Sequence, residues 1–265
     1  MIKLFIQQQT LVISIPCKPE RRKKMPKINV VLRKEDLDPD FLYDKVAVVI
    51  DVLFATTSIV AALHHGARAV YPATSRQMAC DAIKGMEPDT YLLAGENHLQ
   101  NIPGFVGYSP LALAQEPLAG RNIVFSTTNG TVALRKASTA KYVYAAALLN
   151  GPAIVRQLQA HRDHSIVLIC SGSAGRVNLE DLYLAGYLVD RLQVAQPGHW
   201  SQSDTCCIAR SVYGQYSDSP HDCLMQSQLG VRLREQDMQD EVAYSAQLGL
   251  LDLVPLLQGN YLTCC

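Results

Sequence analysis

The 265-residue sequence has no net charge: 24 lysines and arginines face 24 aspartates and glutamates. Without a basic or acidic excess there is no long-range field for nucleic acid or an anionic membrane, and neither is expected as a partner. Charged residues are scarce at 18%, against 48% hydrophobic residues, which excludes disorder for most of the chain and suits a compact α/β globule. No apolar run approaches the roughly 20 residues that a membrane-spanning helix needs. There is no low-complexity linker and no internal repeat, and the length allows one large domain with a sizeable core. Eight cysteines are present but no C-x-x-C pair, so a zinc knuckle is not indicated. The neighbours Cys206-Cys207 and Cys264-Cys265 are poor disulfide partners, and free thiols in a reducing cytoplasm are the simplest reading.

Residues 1–24, MIKLFIQQQTLVISIPCKPERRKK, are not expected to be a secretory signal. Gln7-Gln8-Gln9 breaks the apolar run and the basic cluster follows it, where a signal would have the reverse order. Met25 opens MPKINVVLRKEDL and serves as a plausible start. Residues 1–24 are therefore expected to be an extension, disordered or a mis-assigned start, and 25–265 a single α/β domain.

Strand-like and helix-like stretches then alternate. KVAVVIDV (45–52) is a continuous apolar, β-branched run, the form of a strand buried on both faces. ATTSIVAALHHG (55–66) has helical character and a terminal glycine. RAVYP (68–72), TYLLAGE (90–96), NIVFS (122–126), KYVYAAA (141–147) and SIVLICS (165–171) read as further strands. Helices are expected at 75–86, behind a serine cap, and at 130–138, 151–161 and 179–192. This alternation predicts a three-layer α/β/α fold with a mostly parallel central sheet. After residue 195 the pattern becomes helical, which predicts a helical C-terminal portion, and the type of segment 239–255 stays open.

Ligands of open α/β sheets bind beyond the carboxyl ends of the strands. Here those ends carry Asp51 with Thr56-Thr57, then Glu96, then Ser126-Thr127-Thr128-Asn129-Gly130-Thr131. The sixth predicted strand runs into CSGSAGRVNLED, which brings Cys170, Ser171, Gly172, Arg176, Glu180 and Asp181. Glycines and hydroxyls at a helix N-terminus suit phosphate. Carboxylates without a cysteine–histidine set suit a hard ion such as magnesium. Together they describe a magnesium-assisted site for a phosphate ester. A plainer account of Thr127–Thr131 is an Asn-Gly turn with a threonine cap, and acids such as Glu180 or Asp181 are favoured in a first helical turn in any case. SGSAG is not a P-loop, because no Gly-Lys-Ser/Thr follows.

In their fixed order, VVIDVLFATTSIVAAL, STTNGTVAL, LLNGPAIVRQL, ICSGSAGRVNLEDLYLAG and DEVAYSAQLGLLDLVP resemble the 2-phosphosulfolactate phosphatase family. The resemblance runs from about Met25 to the end of the chain. It implies a magnesium-dependent phosphatase of coenzyme M biosynthesis that releases phosphate from 2-phosphosulfolactate, or a related phosphorylated hydroxy acid, and yields sulfolactate. The chemistry of the strand ends assigns the roles: Asp51, Glu96 and Asp181 are expected around Mg2+. Thr56, Thr57, Thr127, Thr128, Asn129, Gly130, Thr131, Ser171 and Gly172 are expected around the phosphoryl group. Arg176 would stabilise developing charge, and Glu180 or a metal-bound water would supply the nucleophile. Two positions depart from the family pattern: Phe54 and Asn97 stand where arginines are usual. They leave open a different phosphate monoester as substrate, or a non-catalytic phosphometabolite-binding protein. The enzyme reading makes the partner a small phosphate ester in the cytoplasm and leaves homo-oligomer formation undecided.

Overall fold

The computed structural model describes residues 25–265, so the expected extension over 1–24 lies outside the described residues. Eleven strands form one mixed sheet in the order β5-β4-β6-β3-β11-β10-β7-β2-β8-β1-β9. Its centre of gravity for function is β2 (Val46–Ile50), whose five residues are all buried. Parallel pairing with β7 (Tyr142–Ala146) and β8 (Ile166–Cys170) sets Ile50 opposite both Ala146 and Cys170. A strand enclosed by neighbours and covered on both faces has no use for alternation, which is why VAVVI is uniformly apolar. β1 (Lys27–Val31) lies beyond β8 and pairs with it in parallel, and the two-residue β9 (Ser201–Gln202) follows.

A second parallel block contains β3 (Ala69–Ala73), β6 (Asn122–Ser126) and β4 (Tyr91–Asn97), edged by the antiparallel β5 (Gln100–Asn101). The two blocks are joined by the last hairpin of the chain, β10 (Pro255–Gln258) and β11 (Tyr261–Cys264). β10 pairs antiparallel with β7 and β11 antiparallel with β3, through the registers Leu256 to Tyr144 and Leu262 to Val70. The sequence predicted a parallel sheet ending in helices; the structure adds this antiparallel seam at the sheet's middle.

Crossover helices α1 (Ala55–His64), α2 (Arg76–Ala82), α3 (Pro110–Ala114), α4 (Gly130–Lys136), α5 (Gly151–Gln159) and α6 (Leu179–Ala195) complete the α/β/α layers. The predicted cap of α2 is present: the Ser75 side chain accepts from the Met78 N–H at 3.1 Å. α1 is buried from Ala55 to Leu63, as a helix packed against the sheet and further helices must be. The helical C-terminal portion comprises α7 (Asp204–Gln215), α8 (Pro220–Gln226), α9 (Gln228–Arg234) and α10 (Gln239–Ser245). Ser227 separates α8 from α9 and caps the latter by accepting from the Gly230 N–H at 2.9 Å. Among the described residues no helix is long and apolar enough to cross a membrane, and the cysteines are unpaired thiols.

Candidate active site

Asp51 leaves β2 at the turn into α1, and that turn is held by its own threonines. The Thr56 hydroxyl donates to the Asp51 carbonyl at 2.8 Å and accepts from the Asp51 N–H at 2.9 Å. The Thr57 hydroxyl donates to the Val52 carbonyl at 2.7 Å. Both threonines are fully buried, and the structure places their hydroxyls on the backbone, away from the cavity described below. The Asp51 carboxylate meets the start of two helices. Its Oδ1 accepts from the Ala55 N–H of α1 at 3.3 Å, and the Gly130 N–H of α4 also points at it. Only glycine fits at residue 130, because a Cβ there would press on Ala55 and come within 2.7 Å of Asp51 Oδ2. Burial, opposed by the Ala55 N–H and reinforced by the Glu96 charge, raises the Asp51 carboxyl to about 7.

The segment FSTTNGT divides into parts with separate duties. Thr127 and Thr131 cap one another: the Thr127 N–H donates to Thr131 Oγ1 at 3.1 Å and the Thr131 N–H to Thr127 Oγ1 at 3.2 Å. The Thr131 hydroxyl donates in turn to the Thr127 carbonyl at 2.8 Å, so this fully buried side chain faces its own loop. Thr128 instead binds Glu96, its N–H donating to Oε1 at 2.6 Å and its hydroxyl to Oε2 at 3.1 Å. The Leu99 N–H reaches the same carboxylate at 2.8 Å. Glu96 thereby clamps the β4–β5 turn to the loop after β6. Asn129 accepts from Lys34 Nζ at 2.8 Å and donates to Ser173 Oγ at 3.4 Å, which ties three loops together.

The loop from β8 to α6 is organised by Asp181. Its carboxylate accepts from the Val52 N–H at 2.9 Å and the Gly172 N–H at 3.2 Å, bridging the ends of β2 and β8. Gly172 has φ +61°, and a side chain there would lie 2.5 Å from the Arg176 carbonyl. Glu180 is buried beside Asp181, with Oε1 lacking any partner; the Ser171 hydroxyl is likewise buried and unpartnered. Burial raises the Glu180 carboxyl to about 7 and lifts Asp181 well above the usual carboxylate range, with the Asp51 charge adding to both. Cys170, buried among these acids, is held as a neutral thiol.

A cavity of about 290 Å³ opens between these loops. Of the residues singled out from sequence, Asp51, Glu96, Thr127, Thr128 and Asn129 line it. Thr56, Thr57, Thr131, Ser171, Gly172, Glu180 and Asp181 stand outside its lining, as the shell that shapes it, and Gly130 touches it through Asp51. Arg176 is exposed and directs its guanidinium to the Gln228 side chain at 3.4 Å. The cations that do reach the cavity were not foreseen. Lys34 follows β1 and is buried, with Nζ 2.8 Å from Glu35 as well as bonded to Asn129. Arg232 comes from α9. The only signal of Lys34 in the sequence was the charged run VVLRKEDL, and Arg232 had none of its own. Of the two positions lacking arginine, Phe54 lines this cavity and Asn97 a neighbouring one.

Among the described residues no three histidine, cysteine or acidic side chains converge as a ready-made metal site. Asp51, Glu96 and Asp181 are thus not a preassembled trio. The donor chemistry still fits a hard divalent ion: the carboxylates of Asp51, Glu96 and Glu35 line the cavity, Glu180 leaves an oxygen unpartnered behind it, and buried acids outnumber buried cations. Magnesium commonly takes one or two carboxylates and fills its shell with water and phosphate oxygens.

A buried acid near neutrality beside hydroxyls and an ammonium group suits proton transfer on a phosphate ester, the chemistry of a phosphoric monoester hydrolase. Comparison with known proteins agrees and narrows the class: the 2-phosphosulpholactate phosphatase family model matches residues 31–260, and the chain belongs to that family. A protein of Deinococcus radiodurans named probable 2-phosphosulfolactate phosphatase is 39% identical over 224 residues, 84% of this chain and 91% of the relative. One of the same name from Symbiobacterium thermophilum is 38% identical over 217 residues, 81% of this chain and 92% of the relative.

Proposed function

We propose that the protein is a magnesium-dependent phosphatase that hydrolyses 2-phosphosulfolactate, or a related phosphorylated hydroxy acid, to the hydroxy acid (sulfolactate) and phosphate. The names of the relatives support the substrate class. The observation that carries the chemistry is Asp51, raised to about 7 at the mouth of two helices and facing the cavity. A carboxyl of that pKa exchanges a proton readily at neutral pH. The Asp51 carboxylate takes the proton of the attacking water as the new P–O bond forms, and the leaving alkoxide takes up a proton from water as the ester P–O bond breaks. Thr128 and Asn129 orient the phosphoryl oxygens from the loop after β6. Lys34 offsets negative charge from within hydrogen-bonding distance of Asn129. Asp181 keeps the Val52 and Gly172 N–H groups, and so the cavity floor, in place. Bound magnesium would be held through Glu96, with water and phosphate oxygens completing its shell, and would neutralise phosphoryl charge, which leaves Asp51 free to exchange its proton. A cytoplasmic location is part of the same reading, and the free thiols of the described residues are compatible with it.

The test is phosphate release by the purified protein from 2-phosphosulfolactate and a small set of phosphorylated hydroxy acids. Release that rises with magnesium and stops with chelator is expected; no release from any of them removes the proposal.

A further inference from the structure

Of the chain's lysines and arginines, Lys34 and Arg232 line the cavity, and they differ in what they can offer a ligand. Lys34 is buried, and its ammonium already faces three oxygens: Glu35 and Asn129, each at 2.8 Å, and the Ser171 carbonyl at 3.4 Å. An ammonium has three N–H donors, so this one is fully committed to its loops. Arg232 is exposed, and its guanidinium makes no ion pair or hydrogen bond among the described residues. Its five N–H donors are free for a ligand.

The helix that carries this guanidinium is firmly anchored. The Gly230 N–H donates to Ser227 Oγ at 2.9 Å, and the Ser227 hydroxyl donates to the Leu224 carbonyl at 2.8 Å, which locks the start of α9 to the end of α8. Gly230 and Leu233 are the buried residues of α9. Leu229 and Arg232 both line the cavity, and their spacing of three residues sets them on one face of the helix.

2-Phosphosulfolactate carries two acids besides its phosphate. The carboxylate sits on the carbon that bears the ester oxygen, and the sulfonate lies one bond farther out, on the neighbouring carbon. A sulfonate is ionised at every working pH and costly to strip of water, so it suits a partner that is itself solvated. A planar guanidinium also matches two of its oxygens at once. Neither Phe54, a buried ring, nor Asn97, which lines the neighbouring cavity, supplies such a group. We propose that Arg232 receives the sulfonate and is the residue by which the site distinguishes a sulfonated substrate from one without the sulfonate. The inference rests on the phosphatase reading and deepens it by assigning the substrate's outermost acid to a side chain.

Initial-rate kinetics with magnesium on 2-phosphosulfolactate and O-phospholactate, which has a hydrogen in place of the sulfonate, test it. The native protein is expected to prefer the sulfonated substrate in kcat/KM by about tenfold or more, the scale of hydrogen bonds to a charged group. Arg232→Gln should lower that preference about tenfold, chiefly through KM for the sulfonated substrate. Arg232→Lys keeps the charge without the fork and should give an intermediate preference. Added salt should shrink the native preference and leave that of the glutamine variant in place, because an exposed ion pair is screened. No preference in the native protein, or one that Arg232→Gln leaves unmoved, overturns the assignment while the phosphatase stands. Phosphate release from neither substrate removes the phosphatase reading, and the assignment with it.

Discussion

Replacing Asp51 by asparagine should make the protein inactive and, above neutral pH, more stable. Burial raises the folded-state carboxyl to about 7 from its ordinary value of 3.8. A difference of about three units corresponds to roughly 4 kcal/mol at 1.36 kcal/mol per unit. The direction follows from proton binding. Between about pH 4 and pH 7 the folded state holds a proton that the unfolded chain has released, so stability falls across that window and the full penalty is present above pH 7. An amide carries no charge and escapes it. The amide cannot accept from both the Ala55 and Gly130 N–H groups as a carboxylate does, and the lost bond costs about 1–3 kcal/mol. Asp51→Asn should therefore gain roughly 1–3 kcal/mol at pH 8, a Tm rise of several degrees, since each kcal/mol is worth about 2–4 °C at this size. At pH 5 only about a third of the penalty has built up, roughly 1.6 kcal/mol, and the lost bond offsets it, so the gain should vanish. Thermal melts in chelator at both pH values, run beside phosphate-release assays, measure it, with activity expected to fall at least about a hundredfold. A variant no more stable than the native protein at pH 8, or one equally stabilised at both pH values, would refute the assignment of buried charge at Asp51.

Two further outcomes follow from the surroundings of the same carboxylate. Lys34 favours the ionised form of Asp51, so Lys34→Met should move the acid limb of the kcat/KM profile to higher pH; a limb that stays in place denies the coupling. Gly130→Ala forces a methyl against Ala55 and Asp51, an overpacking of about 1–3 kcal/mol that also pushes α4 from the site. Lower Tm and at least about tenfold slower phosphate release are expected, and a variant with native activity and Tm would show that α4 does not need this close approach.

Much of the frame was legible because its strands are buried on both faces. VAVVI and IVLIC are too uniformly apolar to be anything but interior strands, and the residues after them had to sit at a sheet edge. The middle of the sheet was hidden for the opposite reason. PLLQ and YLTC are four residues each, too short to show a period, and their place depends on partners some 110 and 190 residues earlier in the chain. β1 was passed over likewise, since KINVV shows only a partial alternation. In the site, sequence named the acids but could not apportion the hydroxyls. Thr56, Thr57 and Thr131 read as phosphate donors because their types fit; the fold turns each onto a backbone carbonyl within five residues. Lys34 and Arg232 were obscure because a lysine in a charged turn and an arginine on a short helix resemble solvated surface until the fold sets both in the lining of one cavity.

The hairpin that joins the two blocks also bears on how the sheet can be assembled. β10 and β11 follow every other strand in the chain, yet occupy its sixth and fifth places from the β5 edge. A chain emerging from its N-terminus therefore makes β7 and β3 with one edge each still open, and both edges wait for the same last segment. Exposed strand edges invite pairing with other chains. Closure from the inside, by a late wedge of eight strand residues, gives each molecule its own remedy for that hazard.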